Sequence, residues 1–249
     1  MRITAIPYQT YVALRRARAQ YVGKRRLKRL YGSAAGRGDL VFDIGANVGE
    51  HVELFREIGC RVVALEPQPA LVDTLRARYG DDPDVTLLAA AAGPEQGVGS
   101  LQLNTSHFIA SMSAEFRQAL ESSGRFGPDA TWTGTIEVPT TTLDELIALH
   151  GTPALCKIDV EGFEREVLGG LSQPIPAVLF EWTHEVVDTA IACVNRLAEL
   201  GSTEFALCPP DRPRVPRRWL AAAQMAEHLR QQPPGSYGDL YARAPKARA

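Results

Sequence analysis

An α/β fold, with a mostly parallel sheet covered by helices on both faces, is predicted by three features of this 249-residue sequence. Short β-branched runs alternate with segments of helical apolar spacing, the pattern left by parallel strands joined through helical crossovers. A glycine-bearing turn, DIGANVG at 43–49, follows the first such run where a strand would pass into a helix. A later run, KIDVEG at 157–162, carries Lys157, Asp159 and Glu161 on alternate positions. Three ionisable groups on one strand face are costly in a core. They are tolerable at the carboxyl rim of an open parallel sheet, where ligands bind.

The elements follow in order. Residues 1–38 hold ten of the 27 lysines and arginines and none of the 29 acidic residues, so the remainder carries twelve net negative charges. Val12, Leu14, Tyr21, Val22, Leu27, Leu30 and Tyr31 are interleaved with those charges. That mixture predicts a basic helical extension docked on the acidic body of its own protein or of a partner subunit; the same charge also suits an anionic membrane surface, nucleic acid or a negatively charged substrate. DLVFDI (39–44) reads as the first strand, and Val48, Val52, Phe55 and Ile58 recur at helical spacing after it. RVVALE (61–66) is the second strand, followed by Leu71, Leu75 and Tyr79 on a helix. VTLLAAAA (85–92) is the third, ALCKIDV (154–160) the fourth and AVLFEW (177–182) the fifth.

Between the third and fourth strands lies an insert, 97–141, whose SLQLN and TWTGTIEVP segments read as short strands around a polar middle. TTLDELIALH is then a helix with a threonine N-cap and acidic residues in its first turn. A helix near 187–200, the TEFALC run, a proline-rich loop, a helix near 218–231 and GDLYAR complete the chain. The last two runs suggest a hairpin at the sheet edge. One domain, 39–243, is expected, with the extension 1–38 before it and a frayed tail 244–249.

Composition excludes several classes. A hydrophobic content of 45% with 22% charged residues is that of a soluble globular protein. No apolar run approaches the roughly 18 residues of a membrane span, and no secretory signal is evident, so a cytoplasmic location is expected. Cys60, Cys156, Cys193 and Cys208 form no C-x-x-C pair and read as reduced, buried thiols.

The glycine turn narrows the ligand. Gly45 and Gly49 are spaced G-x-x-x-G rather than G-x-G-x-x-G, and Asn47 stands where a dinucleotide fingerprint needs glycine. Asp43, before the turn, would repel a pyrophosphate but suits a cationic ligand. Glu66 closes the second strand and can accept both hydrogen bonds of a ribose diol. A nucleoside without phosphate and with a positive charge is S-adenosylmethionine, which disfavours an NAD-dependent enzyme.

VFDIGANVGEHVELFREIG, VVALEPQPALVDTLR, TTTLDEL and KIDVEGFEREVLGG, in that order, resemble the FkbM family of S-adenosylmethionine-dependent methyltransferases over about residues 39–183. The resemblance implies a class I methyltransferase (Rossmann-like) fold with a seven-stranded, mostly parallel sheet and one antiparallel strand. It implies O-methylation of a sugar or natural-product hydroxyl, with S-adenosylhomocysteine as product. Carried over, Asp43, Gly45, Asn47 and Gly49 line the methionine end of the cofactor, Glu66 and Pro67 the ribose, and Ala90 and Ala91 the adenine.

Asp159 and Glu161, at the rim of the fourth strand, are expected to face cofactor and substrate, with Lys157 neutralising Asp159 or Asp43. A hydroxyl acceptor must lose its proton, and Asp159, Glu161, Glu181 and His184 are the candidate bases. Asp159, Glu161 and Glu181 could alternatively hold magnesium, although their spacing matches no closed metal motif. Ser106, His107, Ser111 and Trp132 in the insert are candidate substrate contacts. A small-molecule or glycan substrate is therefore expected. Two alternatives are a non-catalytic binding protein on the same scaffold and a nucleic-acid methyltransferase using the basic arm. The latter is disfavoured by the lack of a D/N-P-P-Y/F motif after the fourth strand.

Overall fold

The computed structural model describes residues 23–105, 109–123, 131–209 and 213–244. The first 22 residues of the basic arm, and Ser106 and His107, lie outside the described residues. A seven-stranded sheet forms the centre. It comprises β1 (Leu40–Ile44), β2 (Arg61–Leu65), β3 (Val85–Leu88), β7 (Leu155–Ile158), β8 (Ala177–Thr183), β9 (Glu204–Cys208) and β10 (Tyr237–Arg243). Its order is β3-β2-β1-β7-β8-β10-β9. Only β10 runs antiparallel, pairing with both β8 and β9. The expected terminal hairpin is therefore present, but β10 is inserted between β8 and β9 and leaves β9 at the edge.

Alternation along the strands assigns the two faces. Phe42, Ile44, Cys156, Ile158, Val178 and Phe180 pack against α5 (Leu143–His150), α6 (Glu164–Gly169), α7 (Val187–Glu199) and α8 (Ala222–Arg230). Val41, Val62, Ala64, Leu155 and Leu179 pack on the other side against α1 (23–31), α2 (Glu50–Ile58) and α3 (Pro69–Tyr79). Leu30, Tyr31 and Ala35 are buried in that second layer. The described part of the basic extension is thus an integral covering helix. Its charges meet acids of α2, with Lys24 Nζ 2.9 Å from Glu53 and Lys28 Nζ 2.9 Å from Glu57. All four cysteines are buried and free. Among the described residues no helix is long and apolar enough to cross a membrane.

The insert forms a second sheet of order β4-β6-β5, from β4 (Ala91–Ala92), β5 (Gly97–Asn104) and β6 (Trp132–Thr141). A helix, α4 (Ala114–Ser123), lies between its long strands. The expected continuous strand 85–92 is corrected here. It breaks after Leu88, which pairs with Leu65, the last residue of β2. Ala91 and Ala92 then pair with Thr140 and Thr141 in the second sheet. Thr142 caps α5 as expected: its side chain accepts from the Glu145 N–H while the Glu145 carboxylate accepts from Thr142 N–H.

Candidate functional site

The strand order reverses between β1 and β7, and the loops leaving their carboxyl ends diverge there. Gly45 sits at this point with φ 84°, and a Cβ on it would lie 1.9 Å from the Asp159 carbonyl oxygen. The two loops therefore meet backbone against backbone. Above them is a cavity of about 230 Å³, walled by the β1 turn, the tip of β2, Ala90–Ala92, the loop after β7 and three insert residues, Leu101, Ala110 and Met112.

Glu66 lies at the β2 end of this cavity, 3% exposed. Its carboxylate accepts from Asn47 N–H through Oε2 and from Gln68 N–H through Oε1, each at 2.9 Å. Burial raises its pKa, and those amide bonds act against the rise. Asn47 adopts φ 49° and lines the cavity with Gly45, Pro67, Ala90 and Ala91. Two residues expected there are placed elsewhere. Asp43 is fully buried beneath the turn, outside the wall, and neither carboxyl oxygen has a hydrogen-bond partner among the described residues. Burial raises its pKa to about 6 despite the nearby Lys157. Gly49 is the N-cap of α2 at φ 85°, and the space its Cβ would need is taken by Tyr79 and Leu75.

At the opposite end stands Asp159. The strand ends at Ile158, so strict alternation does not carry Glu161 to the rim. Instead Glu161 turns into the left-handed region at φ 53°, followed by Gly162 at φ 85°. Glu164, 3% exposed, steadies this turn by accepting from Val160 N–H and Gly162 N–H at 3.2 Å. Burial pushes the Glu164 pKa to about 7. The turn brings carboxylate oxygens of Asp159, Glu161 and Glu181 within 4.8 Å of one another. Lys157, 2% exposed, donates to Asp159 Oδ2 at 2.8 Å. Burial would raise the Asp159 pKa, but the Lys157 charge and hydrogen bond outweigh it and hold the carboxyl below its ordinary value. Glu181 is driven the other way, well upward, by burial and by Asp159 and Glu161.

The remaining candidates separate. Ser111 is fully buried and its hydroxyl donates to the Glu161 carbonyl at 2.6 Å, so it ties the insert to the turn after β7. Trp132 packs on the Ile109–Phe116 cluster beneath the Arg117 guanidinium, away from the cavity wall. His184 begins a short 3-10 turn after β8; its backbone N–H donates to Ser236 and its ring does not line the cavity.

Two residues of this region were not anticipated. His51 lines the cavity from the first turn of α2, just beyond the glycine turn. Asp239 lies opposite Glu181 in the antiparallel register, and burial raises its pKa to about 7. Only the insertion of β10 beside β8 reveals it.

This topology, with its cavity over the β1–β7 crossover and an acidic end at β7, is that of a class I methyltransferase. Residues 43–194, more than half of the chain, match the FkbM methyltransferase domain, and the chain belongs to that family. A hexuronic acid methyltransferase, AglP of Haloferax volcanii, is 26% identical over 160 residues, which are 64% of this chain and 60% of that protein. This chain thus matches less than two thirds of that relative's length. Among solved structures, a TehB-like S-adenosylmethionine-dependent methyltransferase from Corynebacterium glutamicum superposes with TM-score 0.44 and 11% identity, covering 96% of this chain and all of that one. Fibrillarin from Aeropyrum pernix gives 0.43 and 10%, covering 89% and 76%.

Proposed function

We propose that this methyltransferase moves the methyl group of S-adenosylmethionine to a hydroxyl oxygen of a saccharide or saccharide-like small molecule. The observation that carries the reading is Glu66. It is a carboxylate at the β2 tip, oriented by two backbone amides and facing a cavity that ends at the β7 acids. A carboxylate so placed can accept from a ribose hydroxyl. Leu65, Ala90, Val160 and Phe163 supply apolar wall for a flat base. The residues present therefore fit an adenosyl group carrying an amino acid. The Haloferax relative, a hexuronic acid methyltransferase, supports a sugar as acceptor.

When bound, the cofactor supplies an electrophilic methyl on a sulfonium. The chain's own part is to hold the acceptor oxygen in line, a positional effect worth several kcal/mol, and to receive its proton. As the new carbon–oxygen bond formed and the sulfur–methyl bond broke, leaving the neutral thioether, the hydroxyl proton would pass to the Asp159–Glu181 pair. Lys157 keeps Asp159 anionic, and burial raises the proton affinity of Glu181. Such a base contributes roughly 10²- to 10⁴-fold. A magnesium ion held by Asp159, Glu161 and Glu181 is a second reading, favoured by their mutual approach within 4.8 Å.

Calorimetric titration with S-adenosylhomocysteine, beside NAD, tests the cofactor. Labelled-methyl transfer to a panel of saccharides, with and without EDTA, tests the reaction. Saturable binding of the first ligand alone and EDTA-resistant transfer are expected. Transfer abolished by EDTA and restored by magnesium would select the metal reading. Binding without transfer to any acceptor would favour a non-catalytic scaffold.

A further inference from the structure

Two observations meet at His51. The cavity runs across the sheet from Glu66 on β2, over the β1 turn, to Asp159 after β7, and His51 lines it. His51 stands in the first turn of the helix that follows β1, the strand beside β7, and the charges of Lys157 and Asp159 act on its ring. The second observation is its partner. Tyr31, in α1 and outside the matched family domain, sets its hydroxyl 2.7 Å from His51 Nδ1. The Tyr31 ring is held by Phe55 at a centroid separation of 4.6 Å, and the residue is 1% exposed.

The direction of this bond follows from the hydrogen inventory. Among the described residues the Tyr31 hydroxyl makes no other hydrogen bond, and a buried hydroxyl proton without an acceptor is costly. The hydroxyl therefore donates to Nδ1. Burial and the neighbouring Lys157 lower the pKa of His51 to about 3, so the ring is neutral. Its single proton then sits on Nε2, which has no partner among the described residues.

We propose that Tyr31 is a positioning residue that fixes His51 as a neutral Nε2–H donor for the carboxylate at the amino-acid end of the cofactor. The proposal rests on the cofactor assignment above. With the ribose anchored at Glu66, the amino-acid end falls toward β7. There an ammonium suits the acidic residues, and the adjoining carboxylate needs a donor. His51 supplies one without placing a second positive charge beside Lys157. A helix outside the family domain thereby completes the cofactor site.

The test compares S-adenosylhomocysteine with 5′-methylthioadenosine, which lacks the amino-acid group, by calorimetry on the full chain. His51→Phe should weaken the first ligand by ~10-fold or more and the second by less than about twofold. His51→Gln, whose amide can present a donor near the Nε2 position, should recover most of the loss. Tyr31→Phe keeps the ring packing and should weaken only S-adenosylhomocysteine, by ~3- to 10-fold. In the ligand-free wild type, nitrogen-15 shifts of His51 should report the Nε2–H tautomer, and Tyr31→Phe should change them. Equal weakening of both ligands by His51→Phe, no weakening of either, or an Nδ1–H tautomer in the wild type would overturn the proposal. Failure of the wild type to bind either ligand would instead remove the cofactor assignment beneath it.

Discussion

Gly45 shows how one missing side chain fixes the site. Its left-handed backbone alone disfavours any other residue by about 1–3 kcal/mol. A Cβ would also push against the Asp159 carbonyl 1.9 Å away. Gly45→Ala should separate the β1 turn from the β7 loop, lower the melting temperature and abolish binding of S-adenosylhomocysteine in a calorimetric titration. Glu181 and Asp159 allow a finer division. Asp159 lines the cavity, whereas Glu181 lies behind it in a smaller cleft with Phe116, Glu164 and Thr189. Glu181→Gln should therefore cut turnover by ~10²-fold with cofactor affinity within about twofold of wild type. Asp159→Asn should weaken both. A parallel fall in affinity for Glu181→Gln would move that residue from proton transfer into the binding wall.

At the scale of elements, α1 separates the energetic weight of charge from that of burial. The Lys28–Glu57 pair is exposed, at 39% and 48% of the side chains, and such pairs contribute about 0–1 kcal/mol. Leu30 is 1% exposed, and truncating a buried leucine costs about 2–5 kcal/mol. Urea denaturation of Lys28→Ala and Leu30→Ala should reproduce that ordering. Equal losses would mean that α1 is held by its ion pairs. The same contrast explains what the sequence disclosed. The central strands, the α5 cap and the glycine turn were legible because each is dictated locally, by alternation, by Thr142 with Glu145, and by the required φ at Gly45. Glu66 was legible because a strand tip fixes where its side chain must go. The break after Leu88 was not, since it depends on where β2 ends. The docking of α1 on the body was legible in Leu27, Leu30 and Tyr31 interleaved with its charges, whereas the contact of Leu30 and Tyr31 with Phe55 was not. His51 gave only its nearness to the glycine turn, and Asp239 gave no signal before β10 found its partner strand.

Over the whole molecule, ionisable groups gather on one face of the sheet. Asp43 stands beside Lys157 in adjoining strands, and Glu181 beside Asp239. The body's negative charge is therefore concentrated partly in its interior, and stability must depend on pH. Burial raises Asp43 to about 6 and both Glu164 and Asp239 to about 7, from ordinary values of 3.8, 4.5 and 3.8. A carboxyl with a raised folded-state pKa gives its full stability below the unfolded value and loses it as pH climbs through the folded one. His51 works oppositely. Its pKa falls from 6.5 to about 3, so its contribution is lost as pH drops below 6.5. Asp159, held low by Lys157, adds a further loss only near and below its ordinary 3.8. Between pH 8 and 6.5 the raised carboxyls are thus the principal groups taking up protons, and the melting temperature should rise as pH falls across that interval. Asp239→Asn should raise the melting temperature at pH 8 and flatten the slope. A melting temperature that is level or falls from pH 8 to 6.5 would show that these carboxyls are hydrated in the folded protein. The site would then be an open acidic rim rather than a proton-loaded interior.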